Sequence, residues 1–267
     1  MSGFSAGWLA LREPYDVAAR NATILQAMLA AFRGQSAISI VDLACGTGAS
    51  LRAITQHLPQ RQSWRLVDND LGLLGAAAAL GRPPDVSVSA RPVDLTHDLE
   101  LALDGPIDLI TTSALLDLVS EDWLERLVVE AAARRLPVYA ALTYDGRVEM
   151  EPALPFDKEI VKAVNRHQRG NKGFGPALGP DAPRHSAETF KRVGYSFVAA
   201  ASDWVLGPND QAIQQEVLRG FADAVSELGE LPDRRVADWL AQRIALVERA
   251  SLQVGHTDFF AMPMPIR

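Results

Sequence analysis

The sequence predicts an α/β fold: a three-layer αβα sandwich on a mostly parallel seven-stranded sheet, with an antiparallel last strand and helical insertions. Three observations predict it. Short apolar runs alternate with helical patterns from residue 39 to residue 143, the rhythm of βαβ crossovers. The run Ile40-Val41-Asp42-Leu43-Ala44-Cys45-Gly46-Thr47-Gly48 reads as a strand entering a glycine-bracketed turn and then a helix. A terminal apolar run, 257–262, needs a sheet to join.

Residues 8–33 read as helical, with Ile24, Leu25, Met28, Leu29 and Phe32 apolar and Gly34 closing the segment. Residues 39–43 form the first strand, and a helix over 49–58 stops near Pro59. The second strand is 64–68; an alanine-rich helix follows and ends at Gly81-Arg82-Pro83-Pro84. The third strand, 86–93, ends at Asp94, and the fourth is 107–112. A helix over 121–135 leads to a fifth strand at 137–143.

The pattern then changes. Residues 145–184 are rich in Gly, Pro and charge, with a short helical piece near 156–167, and read as a lid-like insert. A helix at 186–193 and a sixth strand at 195–201 follow. Two amphipathic helices come next, at 208–228 (Ile213, Val217, Phe221, Val225, Leu228) and 232–252 (Val236, Trp239, Leu240, Ile244, Val247). They read as an insertion, 208–253, in a hairpin between the sixth and last strands. A separate C-terminal helical domain is the weaker alternative, because the last strand would have no sheet. The organisation expected is an N-terminal helical cap, 1–37, on a domain spanning 38–267.

Bulk properties exclude several functions. Of 267 residues, 48% are hydrophobic and 22% charged, as in ordinary globular domains. A net charge of −7 with no basic run argues against nucleic acid. Cys45 is the single cysteine, so neither a disulfide framework nor a cysteine metal cluster is expected. His57, His97, His167, His185 and His256 lack metal-ligand spacing. The apolar stretch 71–80 is too short and too broken for a membrane span, and no signal peptide is evident, so a cytoplasmic location is expected.

Side chains at Gly46 or Gly48 would keep a ligand from the backbone. The place of a third glycine, needed to seat a pyrophosphate, is taken by bulky Leu51. Asp42 suits an ammonium or sulfonium and would repel a pyrophosphate. Asp42 through Gly48 resembles the first motif of the class I S-adenosylmethionine-dependent methyltransferases, a Rossmann-like family. The match continues at the family's intervals across 38–143. Asp68, in Leu66-Val67-Asp68-Asn69-Asp70, resembles the acidic residue that accepts hydrogen bonds from ribose. Asp94 resembles the one that takes the adenine amine, with a backbone N–H from Leu95 beside it. The segment from Asp108 to Asp117 resembles the fourth-strand motif lining the transfer site and includes Ser113.

The resemblance thus implies a cofactor site of Asp42, Ala44, Gly46, Gly48, Asp68, Asn69, Asp94, Leu95 and Ser113. Each carboxylate alone is equally well explained as a helix cap; four in register are not. Cys45 reads as a small residue beneath the ligand rather than a nucleophile. Tyr15 and Arg20 resemble residues that close over the methionine tail in some small-molecule members. Asp117, Tyr144 and His167 are the catalytic candidates.

The implied reaction is methyl transfer from S-adenosyl-L-methionine to oxygen or nitrogen of a small-molecule acceptor, leaving S-adenosylhomocysteine, in a monomer or homodimer. The alternatives are a non-catalytic binder of the same cofactor (a sensor or silent partner subunit) and a protein methyltransferase. A nicotinamide-dependent oxidoreductase is disfavoured by the missing glycine.

Overall fold

The computed structural model describes residues 5–59, 61–79, 81 and 83–265, so Leu80 and Arg82, at the expected end of the alanine-rich helix, lie outside the described residues. At the centre of the sheet is β1 (Ala37–Leu43), flanked by parallel β2 (Arg61–Asp68) and β4 (Leu109–Ser113). Outside them run β3 (Val86–Pro92) and β5 (Val138–Glu151), also parallel. Antiparallel β8 (Ser251–Pro263) lies beside β5, and β6 (Tyr195–Ala201) pairs antiparallel with β8. The order is β3-β2-β1-β4-β5-β8-β6, with a short strand, β7 (Trp204–Leu206), also on β8. Among the described residues the sheet has the seven expected strands in that path and, off it, β7, which is too short to show a period. Between β1 and β4 the chain reverses its direction of travel across the sheet, which is where ligands bind in open α/β folds.

Three cores hold the layers. On one face, α2 (Ala22–Ala31), α3 (Ala49–Ile54) and α4 (Leu71–Ala78) bury Met28, Leu51, Ile54 and Leu74 on Ile38, Ile40, Trp64 and Leu66. On the other, α5 (Leu99–Ala102), α6 (Glu121–Arg134) and α8 (Ala182–Arg192) bury Leu99, Leu124, Leu127 and Phe190 on Val41, Leu43, Ile110 and Phe259. The third core joins α7 (Asp157–His167), α9 (Gln211–Leu228) and α10 (Asp233–Leu246) to the outer halves of β5 and β8, through Ile160, Ile213, Val225, Trp239, Met150 and Leu252. Fully burying one such side chain is worth about 1.5–3 kcal/mol.

Three expectations about element bounds change, the first at the helix expected over 232–252: α10 ends at Leu246, and the last strand, expected from 257, starts at Ser251, inside the expected 208–253 insert. The helix expected over 8–33 is two, α1 (Ala6–Ala19) and α2, because the Asn21 side chain caps α2 by accepting from Thr23 and Ile24 N–H at 3.0 and 3.2 Å. The junction is pinned to the sheet where Asp258 accepts from Asn21 N–H at 2.9 Å. The insert expected from residue 145 begins inside β5, which continues to Glu151. That strand is irregular: Leu142 has φ 57°, and its N–H donates to buried Asp258 at 2.8 Å where the register against β8 shifts.

Candidate functional site

The residues following β1, β2, β3 and β4 line one cavity of about 800 Å³, within the ~300–1,000 Å³ usual for small-molecule sites. The first wall is the turn after β1. Ala44, Gly46 and Gly48 all have positive φ, at 52°, 54° and 82°. A Cβ on Gly46 would come within 3.3 Å of Leu9 on α1. Ala44 is not a glycine and bears roughly 1–2 kcal/mol of left-handed strain. Ala114, after β4, repeats the feature at φ 51°, and both alanines line the cavity.

The turn's own N–H groups are largely spent within the protein. Cys45 N–H donates to Val67 O, Gly46 N–H to Asp68 Oδ2, and Gly48 N–H to Cys45 O, each at 2.9 Å. A pyrophosphate would need such donors. Arg52 clamps the turn from outside, donating to Thr47 O at 2.5 Å and pairing with Glu13 of α1 at 2.6 Å. Burial pushes the Cys45 thiol well up, helped by the charges of Asp42 and Asp68, so it is no nucleophile.

Asp42 does not line this cavity. It is 1% exposed and shares the strand face of Ile38 and Ile40, beneath the turn. Thr111 Oγ1 donates to its Oδ1 at 2.8 Å, while Oδ2 is buried without a partner. Desolvation lifts this carboxyl to about 7, against the hydrogen bond from Thr111 and the charge of Arg20.

The other acidic positions do reach the cavity. Asp68 bridges Gly46 N–H and Asp70 N–H (3.0 Å), and Asn69 stands beside it on the wall. Asp70 is the N-cap of α4, accepting from Gly72 and Leu73 N–H at 2.8 and 3.0 Å. Asp94 is exposed to the cavity, its carboxyl held below the usual range by Thr96 N–H at 2.9 Å. Leu95 is fixed by its carbonyl, which accepts from Trp123 Nε1 at 2.6 Å. Ser113 lines the fourth wall. Asp108, at the far end of β4, instead accepts from Ser39 N–H at 2.8 Å.

The N-terminal helix presents a different face from the one expected. Tyr15 turns away and donates to Asp210 at 3.0 Å, packing with Trp8 and Leu11 in the third core. Arg20 lies outside the cavity lining, donating to Tyr139 Oη at 3.4 Å. The cavity is met by Leu9, Arg12 and Asp16, whose spacing of three and four residues puts them on one helix face. Arg12 pairs with Asp16 at 2.8 and 3.2 Å, and Trp204 Nε1 donates to the same carboxylate at 3.0 Å. That spacing was the signal available in the sequence.

None of the three catalytic candidates lines the cavity. Asp117 is buried behind Leu115 and Leu118; burial raises its carboxyl to about 6, opposed by its own and Tyr144 N–H and by the charges of Arg12 and Lys172. Its Oδ1 has no hydrogen-bond partner. Tyr144 donates to Asn165 of α7 at 2.7 Å, and burial raises its phenol. His167 stands 2.8 Å from Glu227 and 3.0 Å from Lys172. Lys172 and Phe174, both within the expected insert, do line the cavity. The insert is tied to the loop after β4, with Gly179 N–H donating to Asp117 O at 2.9 Å and Leu178 N–H to Val119 O at 2.8 Å. Among the described residues no group of His, Cys, Asp and Glu could hold a metal, and no helix is long and apolar enough to cross a membrane.

Sheet order, antiparallel β8 and the cavity at the strand ends define the Rossmann-like methyltransferase fold. No protein-family model and no curated protein matches the chain. Solved structures match it throughout. A cyclopropane-fatty-acyl-phospholipid synthase-like protein from Lactobacillus casei has a TM-score of 0.55 at 16% identity, covering 94% of this chain and 99% of that one. The YcgJ protein of Bacillus subtilis gives 0.52 at 11% identity, covering 92% and 100%. A mycolic acid cyclopropane synthase complexed with SAH gives 0.50 at 10%, covering 89% and 82%. At these identities the likeness establishes the fold.

Proposed function

We propose that this chain is an S-adenosylmethionine-dependent methyltransferase acting on oxygen or nitrogen of a small molecule. One observation carries the reading: Asp68 and Asp94 face a single cavity from successive strand ends, while the turn that would cradle a pyrophosphate spends its N–H groups on the protein. Carboxylates suit hydroxyl and amine donors and repel phosphate. The cyclopropane synthase complexed with SAH has the same fold and lends support.

On this reading Asp68 accepts from the ribose hydroxyls, with Asn69 beside it, and Asp94 and the Leu95 backbone hold the adenine. Gly46, Ala44 and Ser113 border the methionine portion, while Gly48 shapes the turn from outside the cavity lining. Arg12 and Asp16, rather than Tyr15 and Arg20, are placed to meet its carboxylate and ammonium. When bound, the cofactor supplies a sulfonium-activated methyl group, so the protein's task is mainly to hold the acceptor in line and exclude water. Of the cap expected over 1–37, α1 acts as the cap, latched through Glu13 and Arg52, and the part of the insert beyond β5 acts as the lid. Asp117, Tyr144 and His167 act through neighbours rather than on the acceptor.

Incubation with methyl-labelled S-adenosylmethionine and a fractionated metabolite extract tests the activity. Label entering a small-molecule fraction is expected; label only in protein would point to a protein acceptor. Saturable S-adenosylhomocysteine binding without any transfer would instead favour a non-catalytic binder.

A further inference from the structure

We propose that the acceptor is a monocarboxylate with an apolar body, its carboxylate anchored by Lys172. This rests on the methyltransferase reading and names the substrate class of the same site. Among the described residues two cations line the cavity, Arg12 and Lys172, and they differ in one respect. Arg12 is already engaged by Asp16 through two hydrogen bonds. Lys172 forms no ion pair among the described residues; its Nζ lies 3.0 Å from His167 Nδ1. His167 Nε2 is in turn 2.8 Å from Glu227 Oε2. The lysine Nζ also lies 3.4 Å from Nε2, so the ammonium packs against the imidazole as a whole. The ammonium is thus held without an ion pair of its own among the described residues, the charges of Glu227 and Asp117 acting on it at longer range.

An ammonium partly withdrawn from water is costly unless an anion pairs with it. Asp117 does not complete the pair: it is 6% exposed, and its Oδ1 has no partner. The charge of the anion follows from the walls. Asp16, Asp68, Asp70 and Asp94 line the same cavity, so a phosphate dianion meets about twice the repulsion that a single carboxylate does. Leu118 and Phe174 flank the lysine's stretch of wall, and Phe174 is braced edge-on against Trp123 at 5.5 Å. They offer an apolar bed for the rest of the molecule.

The test is calorimetric titration of the protein saturated with S-adenosylhomocysteine. The probes are a panel of aryl and alkyl monocarboxylates, each with its amide, and phenyl phosphate. Carboxylates should bind at least about tenfold tighter than their amides. Lys172→Met, and Lys172→Gln as a second variant, should erase that preference while S-adenosylhomocysteine affinity stays unchanged. His167→Ala should weaken carboxylate binding several-fold.

Equal binding of carboxylates and amides, no binding of any carboxylate, or tighter binding of phenyl phosphate overturns the proposal. Loss of S-adenosylhomocysteine affinity in both lysine variants also overturns it, by assigning the lysine to the cofactor. Failure of the unaltered protein to bind S-adenosylhomocysteine would instead sink the methyltransferase reading itself.

Discussion

Replacing Asp42 with Asn probes the charge buried beneath the glycine turn. The carboxyl is 1% exposed, with one oxygen bonded by Thr111 and the other unpartnered. Burial raises it from 3.8 to about 7. Between those values the folded chain keeps a proton that the unfolded chain has released. Stability contributed by this site is therefore present at low pH and declines as pH rises through the window. A displacement of about three pH units corresponds to roughly 4 kcal/mol, fully lost above the folded value. Asn keeps the acceptor for Thr111 and never ionises. Urea unfolding of both proteins at several pH values should show the variant gaining on the parent by roughly 3 kcal/mol between about pH 5 and about pH 8. A difference that stays flat across that range would refute the reasoning and place an ion or water on the free oxygen.

Other perturbations test separate parts of the structure. Asp157→Asn leaves Arg243, 2% exposed, without its carboxylate and weakens the bond from Trp239 Nε1, now 2.8 Å. A loss of about 3–5 kcal/mol in urea unfolding is expected, and a loss under about 1 kcal/mol would contradict it. Trp123→Phe removes the donor to Leu95 O while keeping an aromatic ring against Phe174. S-adenosylhomocysteine affinity should fall about fivefold by calorimetry, and an unchanged value would detach Leu95 from the site. Ala44→Gly relieves a φ of 52°, so its melting temperature should match or exceed the parent's, unlike the loss of about 0.5–1 kcal/mol usual for Ala→Gly.

What the sequence disclosed was local. Strand followed by turn followed by helix leaves apolar runs and glycines within a few residues, and Asp68 and Asp94 end such runs, so their place on the cavity wall was readable. Asp42 carried the right chemistry but the wrong parity: it shares a face with Ile38 and Ile40 and points beneath the turn. Where long-range contacts decide, the reading failed. Asn21 ends α1 and starts α2 with help from Asp258, 237 residues away, which no local pattern announces. The phase of α1 depends on what it packs against, so the sequence pointed to Tyr15 and Arg20 where the fold brings Arg12 and Asp16 to the cavity. Lys172 reaches the cavity only because the loop after β4 binds the insert at Gly179 and Leu178. His167 drew notice as a titratable group, yet it holds that lysine rather than facing the cavity.

The measurement closest to the central claim is calorimetric titration of the intact chain with S-adenosylhomocysteine and, separately, with NAD. Saturable binding of S-adenosylhomocysteine and none of NAD is expected. Asp68→Ala, shown by circular dichroism to remain folded, should weaken that binding at least about tenfold, as loss of charge-assisted hydrogen bonds requires. Binding of NAD in place of S-adenosylhomocysteine, or an affinity indifferent to Asp68, would contradict the account.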